Sequence, residues 1–534
     1  MNLYRSFATV GGLTMVSRIL GFVRDILIAA VLGTGVIADA FFVAFRLPNL
    51  FRRLFAEGAF NSAFVPLFAK SLEGSGPGPA KQFAEEALAG LSYVLILFSI
   101  VAIGAMPWLM LVLAPGYVSD PNKFDTAVFL ARLAFPYLFC MSLMALYSGV
   151  LSGLGHYAAA SAAQILLNVV LTIAIGIAML LGLSKTPEAG TILASAVTIA
   201  GVIQLWAIAR EARKAGMQLH WRWPTYTPGL KRLVQLGVPA LVAGGVTQIN
   251  IAVGTSIASL QSGAVSYLYY ADRLYQLPLG IVGIAIGVVL LPDVARQLKA
   301  GNFAAVAESQ NRSTEFSMLL TLPAAVALAV VPIPIISVLF ERGAFTSADT
   351  LPTAYALGAY AAGLPAFVLA KVFAPAYFAR EDTHTPMLYA VVNMIINVVL
   401  SLVLYFGFRS IGWMPHLGLA IATTAAGWIN ALQLWWTLHQ RGQFATDAKL
   451  RRTLPMIVVS SIVMAGVLWG LALVLQPYFA RDAGLFVRVA ALMGLVTAGL
   501  AVYGGMVLAT GIFRVREIKA LMRRRKVGMG AEGV

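Results

Sequence analysis

The sequence predicts an all-α polytopic membrane protein, and three observations carry that prediction: its composition, the recurrence of spanning-length apolar windows, and an internal repeat. The 534 residues are 60% hydrophobic and only 11% charged, whereas a soluble domain carries about 25% charged residues. Mean hydropathy is +0.83. A cleavable secretory signal would be one short apolar segment with a small-residue cleavage site; here apolar segments recur to the end of the chain, so none is expected to be removed. The formal charge of +16 raises nucleic acid as a partner. The basic residues, however, fall at the ends of apolar windows and in a C-terminal tail, without the basic, aromatic-interleaved module that reads bases, so no nucleic acid is expected. The single cysteine, Cys140, lies in an apolar run and is read as a small buried apolar residue without a disulfide.

A helix of about 20 apolar residues crosses a hydrocarbon core of about 30 Å. Fourteen such windows can be placed, at residues 9–32, 36–69, 87–113, 127–151, 158–183, 189–209, 233–258, 265–294, 316–340, 353–378, 386–408, 413–438, 454–478 and 489–513. Breakers separate them, among them Gly33 and Gly35, the run from Gly74 to Pro79, Pro115-Gly116, Gly153 with Gly155, and Pro187. An even number of spans puts both termini on one side. With the N-terminus inside, 24 of the 38 basic residues fall on the inner side and 7 on the outer, Lys123, Arg132, Lys185, Arg342, Arg409, Arg481 and Arg488. Basic residues concentrate on the cytoplasmic face, so both termini are expected in the cytoplasm.

The chain also resembles itself. Ala38-Asp39-Ala40-Phe41-Phe42-Val43-Ala44-Phe45-Arg46-Leu47 aligns with Val265-Ser266-Tyr267-Leu268-Tyr269-Tyr270-Ala271-Asp272-Arg273-Leu274 at an offset of 227, which superposes Arg46 on Arg273. Ile165 to Leu171 aligns with Met394 to Leu400 at an offset of 229. Near-constant offsets across separate segments indicate duplication. Six windows lie between matched positions, so the halves share one orientation, as in transporters built of parallel repeats. The expected architecture is two six-helix lobes around a central cavity, residues 1–217 and 218–442. Residues 443–534 would add two further transmembrane helices and a basic cytoplasmic tail.

Charge inside the first two windows is the candidate site. Arg18, Arg24, Asp25, Asp39, Arg46, Arg52, Arg53 and Glu57 sit there, while Leu133 to Ser184 contains no Asp, Glu, Lys or Arg. An ionisable group at the centre of a spanning helix costs about 2.5 to 3.5 kcal/mol, so such a cluster points to a polar cavity. At about 100° per residue, Arg18 and Asp25 are nearly eclipsed and form a candidate ion pair, with Arg24 turned about 120° away as a separate cation. On the second window Asp39, Arg46 and Arg53 repeat at seven, Glu57 extends the stripe, and Arg52 lies off it. Pro48 is expected to kink this helix beside Asn49. Asp25 and Glu57 can equally serve only to neutralise arginines, and Arg52 and Arg53 can snorkel to the inner surface. With Arg273 and Asp272 included, six basic groups face four acidic ones. Arginine stays protonated and its planar fork binds phosphate bidentately, so the surplus reads as an anion site.

Other polar residues carry less. Lys371 is read as paired or snorkelling, and Asn168 and Asn397, at equivalent repeat positions, as helix-to-helix hydrogen-bonding residues. The five histidines have no metal-ligand spacing, and no nucleophile motif, phosphate-cradling glycine loop or nucleotide-hydrolysing cassette is present. No catalytic residue and no metal are therefore assigned. A cationic-drug exporter should display carboxylates rather than excess arginine. A polyprenyl-phosphate enzyme would need a catalytic carboxylate or histidine set in its polar pocket.

Three segments carry a family resemblance: Ser17-Arg18-Ile19-Leu20-Gly21-Phe22-Val23-Arg24-Asp25, the stretch from Ala38-Asp39-Ala40 through Arg46-Leu47-Pro48-Asn49 to Arg52-Arg53, and Ala56-Glu57-Gly58-Ala59-Phe60. Together with Tyr270-Ala271-Asp272-Arg273-Leu274 and Leu291-Pro292, they closely resemble the lipid II flippase family MurJ (MviN) of the multidrug/oligosaccharidyl-lipid/polysaccharide exporter superfamily. The resemblance spans essentially the whole chain. It implies a transporter, not an enzyme, that moves the undecaprenyl-pyrophosphate-linked disaccharide-peptide of peptidoglycan synthesis from the inner to the outer leaflet of the bacterial cytoplasmic membrane. Another oligosaccharide-lipid flippase or a cation-coupled exporter of the superfamily is the alternative. By the same resemblance the substrate contacts are Arg18, Arg24, Arg52 and Arg273, with Asp39, and Asp25, Arg46, Arg53 and Glu57 are supporting ion-pair residues. No resident cofactor is implied; membrane potential or a monovalent cation such as sodium would drive cycling. The seventh window offers a cation only Gln248 and Asn250. The last two helices would border a groove for the polyprenyl tail.

Overall fold

The computed structural model describes residues 3–53, 60–225 and 227–512. Among these there are eighteen α-helices, three short 3-10 segments and no strand. In order the helices are α1 Leu3–Leu32, α2 Val36–Arg52, α3 Asn61–Ser75, α4 Pro77–Gly104, α5 Met106–Leu113, α6 Pro121–Ala134, α7 Tyr137–Gly153, α8 Ala158–Leu180, α9 Pro187–Lys214 and α10 Pro228–Ala258. They continue with α11 Ala264–Lys299, α12 Phe303–Val330, α13 Pro332–Phe340, α14 Ser347–Phe378, α15 His384–Ser410, α16 His416–Gln440, α17 Ala448–Val474 and α18 Leu485–Ala509. Ten helical stretches among the described residues are long and apolar enough to cross a membrane. A bilayer leaves no water for the backbone, so each crossing must satisfy its own amides, which a helix does.

Three windows read as single spans are broken in the structure. The break falls at Ala105 between α4 and α5, at Phe135 and Pro136 between α6 and α7, and at Val331 between α12 and α13. Each has a proline at or just after it: Pro107, Pro136 and Pro332. Proline lacks the N–H and disfavours the helical conformation of the residue before it. Pro48 behaves differently, because α2 runs through it to Arg52. Asn49 Nδ2 donates to Phe45 O at 2.7 Å, covering a carbonyl beside the proline. Several helix starts follow local rules: the side chains of Asp120, Thr186, Thr227 and Asp447 accept from backbone N–H groups three residues on, each with a proline or a helix former next in line.

The chain divides into two compact units, Met1–Tyr270 with Arg342–Asp349 and Ser401–Leu419, and Ala271–Glu341 with Thr350–Leu400 and Ala420–Val534. In the first unit α1 packs on α8, α7 and α8 pack on α9, and α2 packs on α6. Phe60, Phe64 and Phe68 stack in series, with centroids 5.1 and 5.7 Å apart, on Leu146 and Val150. The end of α1 is tied to the 342–349 segment by Ala344 N donating to Ala30 O at 2.8 Å. Gly33 there has φ 62, and a Cβ on it would stand 2.5 Å from Ala344 O, so both its conformation and the close approach require glycine.

In the second unit α17 packs on α12 and on α18. The Tyr503 hydroxyl of α18 donates to Leu319 O of α12 at 2.8 Å. Arg488 of α18, placed by sequence among the outer basic residues, is buried and donates to Ser337 O at 2.6 Å and Glu341 O at 3.3 Å. It adds donors at the C-terminal end of α13, where Ser337 O also accepts from Glu341 N and where a cation suits the helix dipole.

The α14–α15 connection holds a titratable staple. Asp382 accepts from Thr385 N at 2.9 Å and from Arg441 Nη1 at 2.7 Å. The backbone N–H of Thr385 and then the Arg441 guanidinium hold its carboxyl down at about 2, partial burial opposing them. A depressed carboxyl stabilises the fold above its unfolded pKa and loses that contribution as pH falls through the folded value, here from about pH 4 down to pH 2. The melting midpoint in detergent is expected to fall more steeply across that interval for the native chain than for Asp382→Asn. Parallel curves would show that the staple is energetically silent.

Candidate substrate site

Within the first unit, α1 and α2 position the charged residues. Arg24 is 6% exposed. Its Nε and Nη2 donate to Asp25 Oδ1 at 3.0 and 2.6 Å, and its Nη1 donates to Asn168 Oδ1 at 2.9 Å. Asn168, on α8, turns its amide N–H back to Ser17 O at 2.9 Å. Tyr269 adds its hydroxyl to Asp25 Oδ1 at 3.2 Å. The Arg24 guanidinium is thus oriented by protein contacts before any ligand arrives, which is what a precise anion site needs. Asn168 serves the helix-to-helix role read from the sequence.

Two expectations are corrected here. Asp25 is paired with the adjacent Arg24, not with Arg18, so Arg24 is not a separate cation. Helical phase fixes only where each Cβ points. The arginine side chain is long enough to swing back over its neighbour, and in a desolvated site the pairing that satisfies both charges prevails. Arg18 lies exposed on α1.

Asp39 is fully buried, at 0% exposure. Oδ1 accepts from Ser266 N at 3.0 Å and Ser266 Oγ at 2.6 Å; Oδ2 accepts from Gly263 N at 2.8 Å and Lys123 Nζ at 2.7 Å. A carboxylate offers about four acceptor positions, and four donors occupy them here. Asp39 therefore caps the N-terminus of α11 from another helix, where open N–H groups and the dipole favour an anion. Lys123, read from sequence as an outer-side residue, is buried as its counter-ion and lies 4.3 Å from the Tyr117 ring centroid. The sequence signal for it was weak: one lysine just after the Asp120-Pro121 helix start. Nearby, Thr34 Oγ1 bonds Asp349 Oδ1, Tyr270 Oη donates to Gly33 O at 2.7 Å, and Gln261 holds the buried His416.

The remaining residues of the α2 stripe separate by depth. Arg46 is half-buried and donates to Thr255 Oγ1 of α10 at 2.6 Å, Arg52 is half-buried, and Arg53 is exposed. Glu57 lies outside the described residues. In the second unit Arg273 is half-buried on α11, beside Asp272, which accepts from Gln276. Among the described residues no group of three His, Cys, Asp or Glu could hold a metal ion.

Many helices of spanning length with ionic groups held among them fit the class of polytopic membrane transporters. Comparison with solved structures agrees on the fold. One described as an inward-facing conformation of a multidrug resistance MATE family transporter of the MOP superfamily has a TM-score of 0.67 at 14% identity, covering 82% of this chain and 98% of that one. Another, described as lipid II flippase MurJ in an inward closed conformation, has a TM-score of 0.76 at 25% identity, covering 93% and 97%. The family profile "Lipid II flippase MurJ" matches residues 28–489. Probable lipid II flippases MurJ of Rhizobium tropici and Rhizobium meliloti are 46% and 45% identical over 98% of this chain and 98% and 97% of theirs. The chain belongs to the lipid II flippase MurJ family.

Proposed function

We infer that this chain carries lipid II, the undecaprenyl-pyrophosphate-linked peptidoglycan precursor, from the inner to the outer leaflet of the cytoplasmic membrane by alternating access. The observation that carries the reading is the arginine surplus of α1 and α2, with Arg24 held in place by Asp25 and Asn168. In this reading Arg18, Arg24, Arg52 and Arg273 receive the pyrophosphate, because arginine binds its oxygens as a permanently charged fork. Asp39 acts by closing one end: its bonds to Lys123, Gly263 and Ser266 must break for that end to open. The excess of Lys and Arg on one side supports cytoplasmic termini and, with them, an outer-side position for the Asp39 contacts. Substrate charge then biases the population of inward and outward states, and membrane potential or a monovalent cation drives the return.

Depletion of the protein in cells is the test. Lipid II is expected to accumulate on the inner leaflet, and restoring the native chain should clear it. Accumulation of a different lipid-linked oligosaccharide would assign the chain to another flippase of the superfamily.

A further inference from the structure

The first unit contains a groove of about 760 Å³ between α1, α8 and α9 that the transport reading does not use. We propose that it binds one monoanionic phospholipid of the phosphatidylglycerol type. α9 lines it with Trp206, Arg210 and Lys214, spaced at four so that they stack along one face. The Arg210 guanidinium sits 5.6 Å from the Trp206 ring centroid. α8 faces them with Ala158, Ala162 and Leu166, also spaced at four, and the two alanines leave the space open. Gln204 Nε2 donates to Ala163 O at 2.9 Å and fixes α8 against α9 beneath the groove. Thr9 and Leu13 of α1 form the third wall.

The groove is therefore apolar along its length and cationic at one end, the chemical profile of an acyl chain ending in a phosphodiester. At that end, among the described residues that line it, Arg210 and Lys214 meet one acid, Glu211, which Lys214 Nζ contacts at 2.6 Å, with His156 beside them. One net positive charge matches a phosphodiester, which carries a single negative charge, better than a pyrophosphate, which carries more. Glu211 adds an acceptor for headgroup hydroxyls. Trp206 is 63% exposed, and an indole there suits the headgroup level of a bilayer. A lipid seated in the groove links α9 to α1, the helix that carries Arg18 and Arg24. This inference stands without the flippase reading, since it concerns binding alone.

The test is native mass spectrometry of the full chain in detergent with equal concentrations of phosphatidylglycerol, phosphatidylcholine and undecaprenyl phosphate. One retained phosphatidylglycerol per chain is expected, and Arg210→Gln with Lys214→Gln should lower its occupancy about tenfold, the loss of charge-assisted phosphate bonds. Ala162→Trp, which fills the apolar end and keeps the charges, should lower it as far. Lipid-free melting midpoints equal to that of the native chain verify folding, and either variant alone decides the matter if the other does not fold. Equal retention of phosphatidylcholine would mean annular lipid only. Preferential undecaprenyl phosphate would assign the groove to the polyprenyl carrier. Either result, or variants that retain phosphatidylglycerol unchanged, overturns the proposal.

Discussion

Arg24→Ala and Arg273→Ala are each expected to abolish lipid II flipping at native expression levels while the protein still inserts into the membrane. For Arg24 the structure adds a complication. Removing it takes the guanidinium from a buried ion pair with Asp25 and the donor from Asn168, and breaking a buried pair from one side costs about 3–5 kcal/mol. Loss of transport could then reflect loss of fold. The variant that separates the two is Arg24→Ala combined with Asp25→Asn, which leaves no uncompensated charge. It should melt closer to the native chain than Arg24→Ala alone, yet fail to clear lipid II from the inner leaflet. Normal growth and transport with both single arginine variants would end the anion-site reading.

Asp39→Ala is the second large effect. It removes the acceptor of four hydrogen bonds and leaves Lys123 buried without its counter-ion, which again costs about 3–5 kcal/mol. Lys123→Met alone strands the carboxylate instead. Because each single change exposes the partner left behind, the double variant Asp39→Ala with Lys123→Met should be less unstable than the sum of the two, with a coupling of about 1–3 kcal/mol in thermal or denaturant melts. Transport should fall in all three, since each loses at least the Lys123–Asp39 bond that helps hold that end closed. Strict additivity of the two stabilities would show that the residues do not act as a unit.

Helices are legible in an apolar sequence because lipid forces the backbone to satisfy itself locally, so an apolar window of spanning length has one economical structure. Side-chain pairing between helices is not legible in the same way. The pairing of Arg18 with Asp25 followed from helical phase, but Arg24 reached the same carboxylate through its side chain. Lys123 looked like a loop residue because nothing near it in sequence hints at Asp39, 84 positions away. Arg488 likewise reads from sequence only as an outer-side basic residue, and its bonds to the end of α13 come from the fold. Breaks at Phe135 and Val331 were legible in principle from the prolines beside them, yet hydropathy averaged over the window concealed them.

By itself the sequence determined that this protein spans a membrane many times and carries more arginine than acid within its first two apolar windows. Tertiary structure alone decided which of those charges orient one another and which close the fold: Arg24 with Asp25 and Asn168, and Asp39 with Lys123, Gly263 and Ser266. The physical reason is range. Helical periodicity reports neighbours three or four residues apart, while hydrogen bonds and ion pairs depend on separations of about 3 Å through space, which arise only when distant helices pack.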